Sequence, residues 1–468
     1  MKTIYHFPLV VSGITFAIPV VSQQQESKQP NIVIFMADDL GVWDIGPYGN
    51  RSVKTPNLDV FCSESILFHQ AFSVAPTSGP ARSALYTGKY PHKNGAHVNR
   101  MPVRDNVKSL VHYFNGEGYQ VAIAGKLHVG PREVFPFDYI LGSNRREPGT
   151  EGLKGMFTDL YLRPVDKWLR ERDDDRPLIL IVADHCTHMT WPLNPEYTRN
   201  GVEVPPFLVD TPATRKLLAR YYTDITKMDA NVGELMKILK KNRMDDNTIM
   251  MFTADQGPQL PFGKWTLYDY GVQVPFIVRW PNHITPGSHT DALVSHVDII
   301  PTLLEIVGAE MPDDLDGRSF YQVLKSPDGP HRETVFAANN GDKFHDQSPT
   351  RMLRTSRYKY IVNLRPDAPS RKQPRAEWIE QAMTDLHAKM IVDRLNERPA
   401  EELYDIENDR YEMTNLAYSE QHRRILEKFR KEMEIIRSEQ GDIGDRWEDD
   451  LKKLPTDNKP NPLVPYEF

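Results

Sequence analysis

Cysteine is nearly absent: the 468 residues carry two, Cys62 and Cys186. So placed, they form neither a disulfide framework nor a metal-ligand spacing, and stability must rest on packing rather than on bridges. An excess of positive charge is also missing. The net charge is −7, so no nucleic-acid surface is expected, and any anion site must be locally positive within an acidic protein. No apolar run is long enough to span a bilayer. The mostly apolar stretch Phe7–Val21 is short and interrupted by Pro8 and Pro19. With Lys2 before it and a polar stretch after it, this run reads as an export signal over residues 1–22, and no cysteine follows to take a lipid. The expected mature chain is soluble, periplasmic or secreted, with no membrane insertion. Internal repeats are absent as well.

Apolar residues make up 40% of the chain, enough for a large core plus a smaller second unit. Short apolar runs read as buried strands: "NIVIFMADD" from Asn31, "YQVAIAGKLH" from Tyr119, "PLILIVADHCTH" from Pro177, "NTIMMFTADQG" from Asn247 and "PFIVRWP" from Pro275. Helical patterns lie between them, the clearest from Leu218 to Lys241 and another in "VDIIPTLLEIVGA" after His296. Alternation of this kind predicts an α/β fold with a mostly parallel sheet flanked by helices. After Pro327 the character changes. "RMLRTSRYKYIVNL" and "EELYDIENDRYEMTNLA" read as short strands and turns, and "SEQHRRILEKFRKEMEIIRSEQ" as an amphipathic helix. The expected division is a large N-terminal domain over 23–327 and a smaller C-terminal antiparallel-sheet subdomain over 328–468, its tail from Asp442 irregular and on the surface.

Four of the five runs end in polar residues: Asp38 and Asp39; Lys126 and His128; Asp184, His185 and His188; Asp255 and Gln256. Ligands of open α/β sheets bind beyond the carboxyl ends of strands, so these groups can meet in one place. Asp38, Asp39, Asp255 and Gln256 offer hard oxygen ligands of the kind that suit Ca²⁺ or Mg²⁺. Taken singly, Asp39 could as well cap a helix and Asp255 close a turn. Near them in character is "VAPTSGPARSALYTGKYP", residues 74–91. Ser78 before Gly79 and Pro80 reads as a helix start with serine as the cap, where free N–H groups favour an anion, and Arg82 lies on the same helical face. His92 and His97 read as solvated loop residues, with a substrate-rim role as the alternative.

The run Ser78-Gly79-Pro80-Ala81-Arg82, continuing through Leu85, Thr87 and Gly88, resembles the signature of the type I sulfatases. The resemblance extends over nearly the whole chain: "ADD" at 37–39, "GKLH" at 125–128, "TADQG" at 253–257, "KWTLYDYGVQVPFIVRWP" from Lys264, and the C-terminal "ELYD" and "NLA". It implies an alkaline-phosphatase-like fold and sulfate hydrolysis on sulfated sugars. Within the family the chain is most similar to the sulfamidases, which act on N-sulfoglucosamine; "GKLHVGPREVFPFDY", "VADHCTH" and "DTPATRKLLARYYTDITKMD" carry that similarity. Three departures stand out. Ser78 occupies a position where sulfamidases have cysteine, which implies a serine-type maturation enzyme as partner. Gln256 replaces the usual asparagine and adds a methylene. The segment between His188 and "DTPAT" is shorter, so the substrate rim differs.

The resemblance implies that residue 78 is oxidised to formylglycine, whose hydrated diol attacks sulfur in line and then expels sulfate. An unmodified serine would have no second hydroxyl and would stall. By the same resemblance Asp38, Asp39, Asp255 and Gln256 hold Ca²⁺ beside residue 78. Arg82 and Lys126 orient the diol, His128 takes a proton in the collapse step, Lys264 binds sulfate oxygens, and His188 protonates the leaving group. His185 is either a polar loop residue or a second candidate for that acid. The favoured substrate is N-sulfoglucosamine in heparan- or heparin-derived saccharides. The alternatives are an O-sulfatase on another glycan, a phosphatase or phosphonate hydrolase of related fold, and a glycan-binding protein in which Ser78 stays serine.

Overall fold

The computed structural model describes residues 1–3, 29–146, 158–341, 349–366, 375–442 and 444. The Phe7–Val21 run lies outside them, as does nearly all of the tail beyond Asp442. Fourteen strands are numbered in chain order. They are β1 (Asn31–Ala37), β2 (Ile66–Phe72), β3 (Gln120–Gly125), β4 (Asp138–Tyr139), β5 (Asn144–Arg146), β6 (Thr158–Leu160), β7 (Leu178–Ala183), β8 (Thr248–Ala254), β9 (Phe276–Arg279), β10 (Ser288–Ser295), β11 (Val335–Asn339), β12 (Thr350–Arg354), β13 (Tyr358–Asn363) and β14 (Glu401–Asp405).

The large sheet runs β10-β2-β9-β8-β1-β7-β3-β4. Its pairings are parallel except where β9 meets β2 and β8. All five expected strands are present, as β1, β3, β7, β8 and β9. The direction of β9 follows from its connection: between β8 and β9 the described helix is the single turn Asp269–Val272, too short for the crossover that a parallel neighbour needs. Strands β2 and β10 were not expected. β10 is exposed at alternate positions at its start, shifts register between Thr290 and Leu293, and lies at the sheet edge.

The central strands are buried along nearly their whole length, which is why their sequences are unbroken apolar runs. The long helix begins earlier than its periodicity suggests, at Pro212, with Thr211 as N-cap accepting from Thr214 N at 3.1 Å. It runs to Lys241 and buries Leu218, Tyr221, Tyr222, Ile225, Met228, Val232 and Leu235. Each fully buried aliphatic of this kind contributes roughly 1.5–3 kcal/mol. Among the described residues no helix is long and apolar enough to cross a membrane.

Strands β11 to β14 form a separate antiparallel sheet in chain order, and the helix Arg423–Gln440 packs on it through Leu426, Phe429 and Met433. Two helices, Ala376–Ala382 and Leu386–Asn396, were not foreseen in this region. The same apolar cluster includes Val74, Ala84, Tyr90 and Val297 of the large unit, so the small sheet is seated against the segment carrying Ser78. A buried ionic group adds to the contact: Lys359 Nζ lies 2.8 Å from both Asp269 and Glu412, and Glu412 accepts from Asp269 N at 2.7 Å. Asp442, expected on the surface, is half-buried with its carboxylate enclosed, paired with Arg351 at 2.6 Å and Arg437 at 2.7 Å.

Candidate active site

The four polar strand endings belong to four neighbours in the sheet, β8, β1, β7 and β3. Their register brings them level: Ala37 pairs with Ala254, Met36 with Ala183, and Ala183 with Gly125. The residues that follow therefore emerge on one edge. Gly125 is required there, because its φ is +85° and a Cβ would lie 1.9 Å from the Ala183 carbonyl oxygen. Lys126 N then donates to that oxygen at 2.8 Å, which fixes where its side chain starts. Asp39 and His128 both sit at positive φ, 64° and 57°, where non-glycine residues are uncommon and functional sites concentrate.

Ser78 opens the helix Ser78–Thr87, with Thr77 as its N-cap. The expectation that serine caps this helix is corrected: one residue inside the start, its side chain is released from capping and turns to the strand ends. Its Oγ donates to Asp38 Oδ1 at 3.3 Å and accepts from Gln256 Nε2 at 3.0 Å. Gln256 Nε2 also donates to Asp39 Oδ1, while Gln256 Oε1 is buried with no hydrogen-bond partner. Asp38, Asp39 and Asp255 each offer a carboxylate oxygen within 4.8 Å of the others.

Cations surround these acids. Arg82 is fully buried and donates to Asp255 Oδ2 at 2.8 Å, Asp38 Oδ1 at 3.4 Å and the Lys126 carbonyl at 3.2 Å. Lys126 Nζ donates to the second Asp38 oxygen. Lys264 Nζ donates to Asp39 Oδ2 at 2.6 Å, and His188 Nε2 lies 3.7 Å from that oxygen. Burial opposes ionisation of Asp38, but Lys126, His188 and Arg82 hold its carboxyl well below the usual range. Burial lifts Asp39 to about 7 against the pull of Lys264, and the charges of Asp38 and Asp255 push the same way. Burial also raises Asp255, against Arg82. The unpartnered Gln256 Oε1 is a spare neutral oxygen beside the three carboxylates. The donor set fits a hard, oxygen-seeking ion.

The histidines divide. Burial, then Lys126 and Arg82, hold His128 well below its ordinary pKa; burial and Lys264 do the same to His188. Both imidazoles are neutral at neutral pH and can accept a proton. His185 is tied at Nε2 to Asn144 Oδ1, 2.8 Å away, and its pKa is lowered to about 3 by burial and Lys126. His92 corrects the solvated-loop expectation. It is buried, stacked on His97 with ring centroids 5.7 Å apart, and within 3.2 Å of Asn340 Nδ2 and 3.5 Å of Asp442. The small sheet covers it, a contact between segments far apart in sequence. The structure thus gathers Asp38, Asp39, Ser78, Arg82, Lys126, Asp255, Gln256 and Lys264 in one hydrogen-bonded group, with His188 3.7 Å from Asp39 and His128 in its electrostatic field.

Sequence reading missed three supports. Thr187 Oγ1 donates to the Asp39 carbonyl at 2.9 Å, and Asn99 Oδ1 accepts from Gly79 N at 3.3 Å. Trp265, at φ 69°, donates its backbone N–H to the Pro76 carbonyl at 2.9 Å, which ties the Lys264 segment to the approach to Ser78. The adjacency of Trp265 to Lys264 was the available signal; for the other two there was none.

A family model described as Sulfatase matches residues 30–309, and one described as N-sulphoglucosamine sulphohydrolase, C-terminal, matches residues 258–367. The chain is 33% identical to an ulvan-active sulfatase of Formosa agariphila, over 89% of this chain and 82% of that one. It is 29% identical to the N-sulphoglucosamine sulphohydrolase of Homo sapiens, over 87% of this chain and 89% of that one. A protein solved with its substrate D-glucosamine-2-N,6-O-disulfate superposes with a TM-score of 0.68 at 20% identity, covering 90% of this chain and 100% of that one, a likeness of fold.

Proposed function

The chain belongs to the sulfatase family, and from that premise we propose that it removes the N-sulfo group of glucosamine in heparan- or heparin-derived saccharides, using formylglycine made from Ser78 and a bound Ca²⁺. The single observation that most supports this reading is the position of Ser78 Oγ. It is bonded to Asp38 and Gln256 within the acid cluster, with Lys126 and Lys264 beside it.

Asp38, Asp39, Asp255 and Gln256 would hold the cation with residue 78. When bound, the ion supplies Lewis-acid polarisation of the residue 78 hydroxyl and of sulfate oxygen. The chain's own groups do the rest. Lys264 and Lys126 place positive charge where sulfate oxygens sit, in a site whose burial strengthens it. Arg82 fixes Asp255 and Asp38 relative to the helix that carries residue 78. His128, neutral and unpartnered at Nδ1, accepts a proton from residue 78 as sulfate departs. His188, at the partly open side with its side chain 19% exposed, is held neutral by burial and Lys264; it takes up a proton as the charge of the bound sulfate offsets Lys264, and delivers it to the leaving nitrogen. Export by the N-terminal segment, a serine-type maturation enzyme, and division into domains over 23–327 and 328–468 belong to the same reading.

A second reading, O-sulfate removal from another glycan, is favoured by the 33% identity to the ulvan-active sulfatase. A zinc phosphatase is disfavoured, since the acid cluster contains aspartates and no histidine among the described residues. The deciding experiment is sulfate release from glucosamine bearing either an N-sulfo or a 6-O-sulfo group. Release from the N-sulfated sugar is expected; release from the O-sulfated sugar alone would transfer the assignment to the second reading.

A further inference from the structure

Next to the Lys264 segment, two recesses meet around the helix Leu386–Asn396, the inner one between it and the large unit, the outer one between it and the small-sheet segment Glu402–Tyr418. The narrower is walled by Trp265, Tyr268 and Asn339; the wider, of about 590 Å³, is walled by Met390 and Tyr418. Arg394, Arg398 and Glu402 line both and make them one groove. Its inner end is fixed to the active site. Trp265 follows Lys264 in the chain and sits under its ammonium, 5.5 Å from the ring centre. The Trp265 carbonyl is held by Asn339 Nδ2 at 2.9 Å.

The lining is unusual in three respects. The Arg394 guanidinium lies over the rings of Tyr268 and Phe262, at 4.3 and 4.6 Å, yet its Nε is buried with no hydrogen-bond partner. A donor left unmet in this way is costly, and the guanidinium that carries it lines both recesses. At the outer rim Tyr418 is 75% exposed and Met390 50% exposed, apolar surface that a partner would cover. The charges are mixed: Asp393, Glu397 and Glu402 stand among the arginines, so the groove is not a cationic trough for sulfates. Interspersed carboxylates, guanidinium groups and amides suit the hydroxyls of sugar rings, which both donate and accept, and an exposed tyrosine suits a ring's C–H face.

We propose that this groove binds the saccharide chain attached to the sulfated sugar, so that the site takes oligosaccharides in preference to single sugars. This rests on the reading of the active site as one for sulfated sugars. The sulfated unit is held by Ser78 and Lys264, and the chain leaves past Trp265 toward Tyr418.

The test compares sulfate release from N-sulfoglucosamine and from a heparan-type tetrasaccharide sulfated only at its terminal N-sulfoglucosamine, in the full-length matured enzyme and its Tyr418→Ala and Arg398→Ala variants. Tyr418 is exposed, so its truncation leaves the core intact. The wild type is expected to favour the tetrasaccharide. Each variant is expected to lose about tenfold in kcat/KM on it, through KM, with the single sugar unaffected. Equal loss on both substrates, or no loss on either, would overturn the groove. If neither substrate is turned over, the N-sulfoglucosamine assignment has failed on its own. Saturation-transfer NMR with the same heparan-type tetrasaccharide and an ulvan-derived tetrasaccharide then decides. Binding that Tyr418→Ala weakens upholds the groove, and absence of binding to the wild type overturns it.

Discussion

Gln256 Nε2 donates to the Ser78 hydroxyl at 3.0 Å and leaves its own Oε1 buried without a partner. The amide therefore stands between residue 78 and the acid cluster, and its extra methylene relative to asparagine gives it reach to both. Gln256→Leu keeps the bulk and deletes the spare oxygen. Calcium affinity, read by isothermal titration, is expected to weaken by about tenfold or more through loss of one oxygen ligand. Unchanged affinity would remove Gln256 from the ligand set.

Ser78→Ala separates chemistry from stability. The side chain makes hydrogen bonds at 3.3 and 3.0 Å, and losing them costs about 1–2 kcal/mol at most. Urea denaturation should show a shift of that size, whereas sulfate release should fall below detection. Residual activity near the wild-type level would deny residue 78 the nucleophile's role.

Lys359 is the single ammonium between Asp269 and Glu412, 2.8 Å from each. Lys359→Met leaves buried Glu412 without its ammonium and Asp269 with Arg354 alone, 3.4 Å away, a change that typically destabilises by about 3–5 kcal/mol. Asp269 follows Lys264 by five residues in the chain, so activity should fall along with stability. A midpoint unchanged in urea would show that the group is hydrated rather than buried.

Asp44 sets a pH dependence of stability. Burial lifts its carboxyl to about 7 against hydrogen bonds from Tyr270 and Tyr221, at 2.8 and 3.0 Å. A carboxyl whose pKa is higher in the folded chain holds more protons there than when unfolded, between about 4 and about 7. This contribution is therefore present at the acid end of that window and declines as pH rises through it. Asp44→Asn should flatten the decline, measured as unfolding free energy at pH values across the window. Parallel curves for variant and wild type would contradict this assignment.

Much of the site was legible because its residues follow continuous apolar runs. A strand buried on both faces advertises its end, and β1, β3, β7 and β8 each hand over to acids, lysine or histidine at that point. What one sequence does not contain is the lateral order. That these four are neighbours, level at Ala37, Ala254, Ala183 and Gly125, is a property of pairing. The direction of β9 was hidden because a strand reads alike both ways; the absence of a crossover helix decides it. Strand β10 was hidden because an edge strand with polar alternation resembles a loop. His92, in "PHKNGAH", looks solvated until Asn340, Arg351 and Asp442 close over it from the far end of the chain. Ser78 lies one residue inside the helix start instead of at its cap, and that single residue decides whether the hydroxyl serves the helix or the site.

The central claim is that the hydroxyl at position 78 is converted to an aldehyde before the enzyme works. Mass spectrometry of the peptide spanning Ser78, taken from a preparation whose sulfate release has been measured, tests it most directly. The account predicts a peptide lighter than the encoded one by a pair of hydrogens, in proportion to activity. A fully active preparation carrying only the encoded serine would contradict it.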